Sequence, residues 1–458
     1  MFPAAPAAGT ITVHVRRFSL NHSIFLMKVI LASLLFLVFS IITYAQKQAF
    51  NTSDIDNFWK AYDKIVSTKD SSKQLQYLRE LYLDKASPGL KGLIEVRDYT
   101  EAEFLNSIRS YPVFWKSVRA NTTNTKSLFS SIENNIKKLK KIYPALQPVP
   151  IYFAVGAFRT NGTIQGSKVL IGAELALADQ TTITDELPEW RRPFYKEYNP
   201  RANIALLCTH EYIHTQQRPL VENLLSSCLY EGVAEFISCF ATGLKSNSPA
   251  IAFGKANQQR VINLFVKDLY TMSNNYNWLW GQNRNELKVR DLGYYIGYEI
   301  AERYYNLAFN KSTAIKELIE LDYTNEDEVA RIVDVVKLLP KPIGELYEDY
   351  EKSRPVITAI TPFENGSNSV KPGLTKITVT FSEPLNGYNT GIDFGPLGEI
   401  AIPKITPVRT WSADKRSWSF EAELQPDKHY QILISNNFRK DDGVRLKPYL
   451  IEFTTTGK

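Results

Sequence analysis

Cysteine and histidine are scarce in this chain. Only three cysteines and five histidines occur among its 458 residues. The cysteines are Cys208, Cys228 and Cys239, and their number and spacing match neither a zinc ribbon nor a disulfide-dense scaffold. Each lies in an apolar stretch with helical spacing, so we expect buried thiols that pack as small hydrophobic groups. A bridge between Cys228 and Cys239 within one helix is not expected, because eleven residues of helix rise about 16 Å.

The chain also lacks a basic cluster interleaved with aromatic residues, although its formal net charge is +6. The densest basic group consists of four lysines between positions 137 and 141, within SIENNIKKLKKIYPAL. Apolar residues recur there every three or four positions, so we interpret the lysines as the solvated face of an amphipathic helix. A phosphate-binding patch is the alternative. We therefore expect no nucleic-acid partner.

The composition is that of a folded protein with more than one domain. Hydrophobic residues make up 44% of the chain and charged residues 22%, which excludes a disordered or collagen-like polymer. A chain of 458 residues exceeds one ordinary core, and about 100 to 200 residues per domain gives two or three domains.

The first 45 residues predict export. From Met27 the chain reads MKVILASLLFLVFSIITYAQ, with Lys28, an apolar run over residues 29 to 42 and a small-residue cleavage site at residues 43 to 45. This is the pattern of a secretory signal peptide, and its apolar run is shorter than the roughly 20 residues of a membrane-spanning helix. An uncleaved anchor is the alternative. We expect translation to begin at Met27, and the processed protein, without a stable membrane span, to be periplasmic, cell-surface or extracellular.

The spacing of apolar residues predicts an α+β fold. Residues 46 to 352 read mostly as helices, interrupted by VPIYFAVGAF and SKVLIGAEL around a turn, which predicts a β-hairpin. Beyond residue 355, segments such as TKITVTF, SWSFEAEL and HYQILIS alternate apolar and polar residues, which predicts about 105 residues of antiparallel sandwich. We therefore predict a mostly helical domain over residues 46–352, and an all-β domain over residues 355–458.

Two of the rare histidines stand four residues apart in LCTHEYIHTQQ. On a helix, His210 and His214 would lie on one face, close enough to bind one metal ion. Glu211 could then reach a water on the metal without occupying a coordination position. Downstream, CLYEGVAEF offers Glu231 and Glu235 on a second predicted helix. Either carboxylate would complete a two-histidine, one-glutamate set that leaves a position for water, as in catalytic zinc sites.

HExxH followed by E-G-x-A resembles the gluzincin metallopeptidases. The resemblance implies these roles: zinc ligands His210, His214 and Glu231, general base Glu211, and Glu235 as the carboxylate that orients a ligand histidine. Sixteen residues separate His214 from Glu231, slightly fewer than in the best-known gluzincins, so Glu235 is kept as the alternative ligand. Gln217 and Leu220 stand where the metzincin pattern requires glycine and histidine, which excludes that pattern.

Two further segments resemble parts of this class of enzyme. Residues 294 to 297 read YYIG, similar to the Tyr-x-x-Gly of aminopeptidase relatives, which implies that the Tyr294 phenol stabilises an oxyanion. A tyrosine that packs in the core is the alternative. KVLIGAEL is placed like the gluzincin edge strand that pairs with the substrate backbone. HEYIH and GYYIGY also look like blocks of uncharacterised secreted zinc proteases predicted in Bacteroidetes-like bacteria.

The C-terminal segment resembles the bacterial Ig-like domain of the SbsA type. ITVTFSEPLN, LQPDKHYQILI and DDGVRLKPYLIEFTTTG carry this resemblance over most of residues 355–458. Such domains are usually spacers or adhesion modules, so we expect no chemistry there. His429 lies in this segment, and we expect a surface or packing residue.

Together these features predict a secreted zinc peptidase acting on a peptide or protein substrate. Zinc would bring the pKa of its water near 7 and polarise the scissile carbonyl, while Glu211 would carry a proton from that water to the leaving amine. Two alternatives are a noncatalytic cell-surface binding or assembly protein that retains the zinc site, and zinc as a purely structural element.

Overall fold

The computed structural model describes residues 48–271, 275–280 and 286–457 of the chain. The predicted signal peptide and the residues before it lie outside the described residues. The chain divides into two units, Met1–Ala49 and Phe50–Lys458. All the elements below belong to the second unit.

Helices dominate the second unit up to residue 353. Their bounds are α1 Ser53–Val66, α2 Ser71–Leu81, α3 Pro88–Arg97, α4 Glu101–Ser110, α5 Pro112–Thr123, α6 Phe129–Ile142, α7 Ala173–Ala176, α8 Arg192–Tyr198, α9 Ile204–His214, α10 Leu224–Thr242, α11 Pro249–Ala256, α12 Gln258–Asp268, α13 Asn275–Trp278, α14 Leu292–Leu307, α15 Lys311–Ile319, α16 Glu326–Val335 and α17 Ile343–Ser353. The helical periodicity of the sequence thus corresponds to real helices over most of this region.

Local signals set where several of these helices begin and end. Before α4, the Thr100 hydroxyl accepts the N–H of Glu103 while the Glu103 carboxylate accepts the N–H of Thr100, a reciprocal capping box. The 19-residue helix α10 begins after Asn223, whose side chain accepts the N–H of Ser226. It ends at Gly243, whose φ of 73° is left-handed and suits glycine. These signals fix the length of the helix that carries Glu231 and Glu235.

The four lysines of the basic cluster lie on α6 and are all exposed. Its buried residues are Ile132, Asn135, Ile136 and Leu139. This agrees with an amphipathic helix whose lysines form the solvated face.

A small mixed sheet stands among these helices, with strands β1 Phe50–Asn51, β2 Ile151–Ala154, β3 Gly162–Ile164 and β4 Val169–Gly172. Its strand order is β1-β2-β4-β3, with β2 and β4 parallel and β3 antiparallel to β4. The predicted hairpin is therefore wrong in its partners, since β2 and β4 are parallel neighbours. The segment between them forms a crossing loop and then β3, which makes the hairpin with β4.

Two details of the chain produce this arrangement. The buried carboxylate of Glu174 accepts the N–H groups of Gly156 (2.8 Å) and Phe158 (3.0 Å), which holds the crossing loop after β2. Between β3 and β4, Gln165 and Lys168 exchange both backbone hydrogen bonds, and Gly166 between them has a φ of 53°. That conformation is easy for glycine and closes a two-residue hairpin.

Helices α10 and α14 cross closely in the core, and two glycines allow it. A Cβ on Gly297 would lie 1.8 Å from the carbonyl oxygen of Cys228, and one on Gly232 would lie 2.2 Å from the backbone of Gly297. The glycine of the YYIG segment is therefore a packing residue that sets α14 against α10. It also places Tyr294, one turn earlier, beside α10.

Buried apolar side chains surround this crossing. The three cysteines are buried and free, as expected. Among the described residues, α10 alone is long and apolar enough to cross a membrane, but 78% of the tested window is buried inside the protein. We therefore describe α10 as a core helix.

Residues 357 to 454 form two further antiparallel sheets. Their strands are β5 Ile357–Thr361, β6 Gly373–Phe381, β7 Ile392–Asp393, β8 Lys404–Trp411, β9 Ser417–Leu424, β10 His429–Ile434 and β11 Tyr449–Thr454, in the orders β5-β6-β9-β8 and β11-β10-β7. Ile377 and Val379 of β6 and Ile432 and Ile434 of β10 belong to one buried cluster. His429 of β10 is exposed and contacts Thr454 and Glu452 of the neighbouring strand β11.

The α+β fold class is thus confirmed. The hydrophobic cluster of the helical part ends at residue 346, and a separate one begins at residue 357. The domain boundaries at 352 and 355, and the assignment of the strands to an Ig-like domain, stay predictions.

Candidate metal centre

The HExxH segment lies on α9, as the sequence predicts. Every residue of this helix from Cys208 to His214 is buried. Tyr212, between the two histidines in sequence, anchors the helix to the chain just before β2. Its hydroxyl oxygen accepts the N–H of Val149 (2.8 Å). The packing of α9 against α10 then brings His210 and His214 to the carboxylates of the second helix.

Three side-chain atoms converge between α9 and α10. His210 Nε2 lies 3.0 Å from His214 Nε2, and Glu231 Oε2 lies 3.3 Å from the first nitrogen and 3.2 Å from the second. Zinc with ligands at about 2.0–2.1 Å in tetrahedral geometry separates its ligand atoms by about 3.3 Å. The triangle therefore has the size of a coordination face, and this buried group could hold a metal ion.

The outer nitrogens of both imidazoles contact oxygens that can only accept hydrogen bonds. His210 Nδ1 lies 3.0 Å from Glu235 Oε2, and His214 Nδ1 lies 2.6 Å from Gln217 Oε1. Each Nδ1 must therefore carry a hydrogen and donate it. In the neutral imidazoles, both Nε2 lone pairs then point at the shared centre. Two bare lone pairs 3.0 Å apart repel each other, so the geometry requires a proton or a cation between them.

The two carboxylates on α10 differ in position. Glu231 faces both Nε2 atoms, whereas Glu235 faces only the outer nitrogen of His210. The hydroxyl of Ser246 also donates a hydrogen bond to Glu235 Oε1. Glu235 therefore has the position of a carboxylate that orients a histidine, and Glu231 has the position of a direct ligand.

The electrostatics of the cluster favour a cation. Burial alone lowers the pKa of His210, but hydrogen bonds with Glu231 and Glu235 outweigh it and raise the pKa to about 10. Burial alone raises the pKa of Glu231, but the charges and hydrogen bonds of both histidines bring it far below its ordinary range. Glu235 also has a lowered pKa, because its contact with His210 outweighs burial. The carboxylates therefore stabilise extra positive charge at the centre.

Glu211 lies beside the three converging side chains and is buried. Burial raises its pKa, and the charges of the two histidines oppose that rise. Its carboxylate touches strand β3, where a Cβ on Gly162 would lie 2.5 Å from Glu211 Oε1. Glycine is therefore needed at this position if Glu211 is to keep its place.

Tyrosine rings cover the imidazoles on two sides. The ring of Tyr294 stacks beside His210 at 6.1 Å between centroids, and Tyr230 stacks on His214 at 4.4 Å. Burial and the charge of Glu231, to which Tyr294 is hydrogen-bonded, raise the pKa of Tyr294 well above its usual value. Its neighbour Tyr295 is the fully buried core residue. Tyr294 therefore lies at the candidate site, and its oxyanion role stays a prediction.

Sequence reasoning missed several residues that support the cluster. In the sequence, Gln217 serves only to exclude the metzincin pattern, yet in the structure it contacts His214 and donates its amide hydrogen to the carbonyl of Tyr230 (2.9 Å). Its position three residues after His214, one turn further along, is a sequence signal that could have revealed it. Ser246 gives no such signal, because it lies beyond the end of α10.

The cluster opens into a cleft of about 780 Å³. His210, Glu211, His214, Glu231 and Tyr294 all line it, together with strand β3 and exposed aromatic side chains that include Trp190 and Trp280. The expectation that KVLIGAEL forms the edge strand is wrong. That segment is β4, which pairs with β2 on one side and β3 on the other. The strands at the two edges of the sheet are β1 and β3, and β3 is the edge strand whose residues line the cleft.

Comparisons with known proteins assign no family. No protein-family model matches the chain, and no curated protein matches it. Among solved structures, the crystal structure of the S-layer protein rSbsC(31–844) aligns over 88% of this chain and 45% of that chain, at 10% sequence identity and a TM-score of 0.17. The chain thus spans less than half the length of that structure, and so low a score carries no argument. Independently of these comparisons, the buried group His210, His214 and Glu231 could hold a metal ion.

Proposed function

We propose that this protein is a zinc-dependent peptidase of the gluzincin type. The observation that carries the proposal is the convergence of His210 Nε2, His214 Nε2 and Glu231 Oε2 within 3.3 Å of one another, beside Glu211 and at the floor of an open cleft. Two imidazole nitrogens and one carboxylate oxygen form the donor set of catalytic zinc sites. A purely structural zinc site is closed by four protein ligands, whereas this group has three members among the described residues.

The residues of the site divide the work of peptide hydrolysis. His210, His214 and Glu231 would hold the zinc ion, which when bound supplies Lewis acidity and lowers the pKa of its water. Glu211 accepts a proton at its carboxylate and returns it to the leaving amine. Burial prepares Glu211 for this role, because a raised pKa brings a carboxylate closer to the pH at which it must both accept and release a proton.

Two further features fit a peptide substrate. The phenol of Tyr294 lies beside His210 and donates its one hydrogen to Glu231. In catalysis it would exchange this partner for the carbonyl oxygen as negative charge develops there. Strand β3 has one strand neighbour in the described sheet and lines the cleft, so a substrate backbone could pair with its outer edge. We also propose that the protein is exported and that its C-terminal sheets serve as an Ig-like spacer or adhesion module.

Metal analysis and digestion of a peptide library together test this proposal. The wild-type protein should bind one zinc ion and cleave peptides. Glu211→Gln should retain zinc but lose activity by several orders of magnitude, whereas His214→Ala should lose the metal. Full activity in Glu211→Gln would remove the assignment of the base. A wild-type protein that binds zinc but cleaves no peptide would instead support a noncatalytic binding protein.

A further inference from the structure

The side chains that line the cleft carry an uneven distribution of charge. The basic residues in this lining are Arg97, Arg159, Lys288 and Arg290. The acidic ones are Glu211, Glu231, Glu235 and Asp291. The three glutamates belong to the candidate metal centre at the floor. A ligand that enters the cleft therefore passes mostly basic side chains before it reaches the metal centre.

The one acidic residue outside the metal centre is already engaged. Asp291 accepts the backbone N–H of Trp280 (3.0 Å), a contact that ties together the segments before α14. Lys288 and Arg290, on the same stretch of chain, are exposed, and neither forms an ion pair with a described residue. The charge of Arg290 also acts on the neighbouring Asp291 carboxylate and is partly compensated by it, whereas Lys288 has no ion-pair partner among the described residues.

Among the four basic residues, Arg97 alone has an enclosed donor that lacks a hydrogen-bond partner among the described residues. Its Nη2 donates to Thr160 Oγ1 at 3.3 Å, while its Nε is enclosed and has no hydrogen-bond partner among the described residues. No described carboxylate lies within ion-pair distance of its guanidinium. Arg159, in contrast, is paired with the carboxylate of Glu103. A guanidinium has five donors and no acceptor, so Arg97 retains unused donors in the wall of the cleft.

A short chain of contacts places Arg97 next to the proposed reaction centre. Thr160, the hydrogen-bond partner of Arg97, donates its own hydroxyl hydrogen to the carbonyl of Gly162 at 2.5 Å. Gly162 is the residue of β3 that lies against the carboxylate of Glu211. A substrate that pairs with the edge of β3 would therefore pass directly beside the guanidinium.

We propose that Arg97 binds a carboxylate of the substrate, assisted by the charges of Lys288 and Arg290, and that the cleft therefore selects anionic peptides. This inference rests on the proposed peptidase function. The carboxylate belongs either to an acidic side chain or to the C-terminus of the peptide. Arginine suits this role because its planar fork forms paired, charge-assisted hydrogen bonds with carboxylates.

The test measures peptide binding without requiring turnover. The Glu211→Gln protein, loaded with zinc, is titrated calorimetrically with four peptides of one sequence, which carry either Glu or Gln at one position and either a free or an amidated C-terminus. We expect the anionic member of a pair to bind roughly ten- to hundredfold more tightly, the range for hydrogen bonds to charged groups. If affinity differs between the Glu and Gln peptides, the bound carboxylate is an acidic side chain. If affinity differs between the free and amidated peptides, it is the terminal carboxylate.

Substitutions in this background assign the preference to individual residues. Arg97→Gln should reduce it to about twofold or less, while binding of the neutral, amidated peptide stays unchanged. Arg290→Gln, at an exposed position that carries little risk to folding, should reduce it partially, and added salt should weaken it. Arg260→Gln, an exposed arginine of α12 outside the cleft lining, serves as the matched control and should change nothing.

Two results would overturn the inference: equal binding of all four peptides, or an Arg97→Gln variant that keeps the full preference. Failure of the proposed function is read separately, from the wild-type protein and the same peptides. Absence of cleavage together with an anion preference that depends on Arg97 would reject the peptidase and retain the carboxylate site. Cleavage without any charge preference would retain the peptidase and reject the carboxylate site.

Discussion

Glu235 Oε2 lies 3.0 Å from Nδ1 of His210, on the edge of the imidazole ring that faces away from Glu231. One histidine is therefore held between two carboxylates of the same helix, one at each ring nitrogen. Because Glu235 fixes the hydrogen on Nδ1, it leaves the Nε2 lone pair for a metal. This arrangement assigns different roles to two glutamates that stand one helical turn apart.

Replacing Glu235 with glutamine should weaken metal binding without abolishing it. We expect a loss of about 10- to 100-fold in zinc affinity, the usual effect of removing a carboxylate that orients a ligand histidine. Glu231→Gln should have a much larger effect, because it removes a direct ligand. Competition with a chelator of known affinity measures both. Glu423→Gln, at a half-buried ion-pair residue of β9, is the control and should bind zinc like the wild type. Equal losses in the two α10 variants would contradict the assigned roles.

Zinc affinity should rise with pH between about 7 and 10. In the metal-free protein His210 has a pKa of about 10, so it holds a proton that the metal must displace. Each unit of pH below that value should therefore lower the apparent affinity by up to about tenfold. Calorimetry in buffers of different ionisation enthalpy should detect at least one proton released per zinc ion at pH 8, the one held by His210. A pH-independent affinity would show that the proton is absent.

The stability of the metal-free protein should change with pH in the opposite direction. The folded-state pKa of His210 is raised above its ordinary value near 6.5, so its contribution is fully present below pH 6.5 and is lost as the pH rises towards 10. The lowered pKa values of Glu231 and Glu235 give a contribution present above about pH 4.5 and lost on acidification. Urea unfolding of the metal-free protein should therefore show greatest stability between these limits. In the His210→Ala variant, the loss of stability above pH 6.5 should be smaller.

The crossing of α10 and α14 should not tolerate a methyl group. Gly297→Ala places a Cβ 1.8 Å from the carbonyl oxygen of Cys228, so the helices must separate. We expect a loss of about 1–3 kcal/mol or more in the free energy of unfolding, the usual effect of overpacking a core. Gly344→Ala on α17 is the matched control, because its Cβ meets no atom within 4 Å and alanine favours a helix. Denaturant unfolding of both variants decides the point, and equal stabilities would contradict the packing described here.

The sequence predicts local features of this site better than it predicts relationships between distant segments. His210 and His214 are four residues apart, so a single helix is enough to place them on one face. The same spacing made Glu231 and Glu235 indistinguishable as ligands, because the choice depends on how α10 is rotated against α9. Likewise, the apolar run of KVLIGAEL predicts the strand β4 but not its position between β2 and β3. Strand order depends on non-local pairing, which the spacing of apolar residues does not encode.

Tyr294 and Tyr295 are adjacent on α14, which makes them a matched pair for separating catalysis from packing. Tyr294→Phe removes the phenol beside His210, and we expect kcat to fall by about 10²- to 10³-fold, as when a donor to a developing oxyanion is lost, with KM and zinc content nearly unchanged. Tyr295→Phe removes a partly buried hydrogen bond to Gln258 and should cost about 1 kcal/mol in stability, with kcat unchanged. Kinetics and urea unfolding of both variants test these outcomes. If Tyr294→Phe alters only stability, its phenol is a packing group and the oxyanion must be stabilised by other residues.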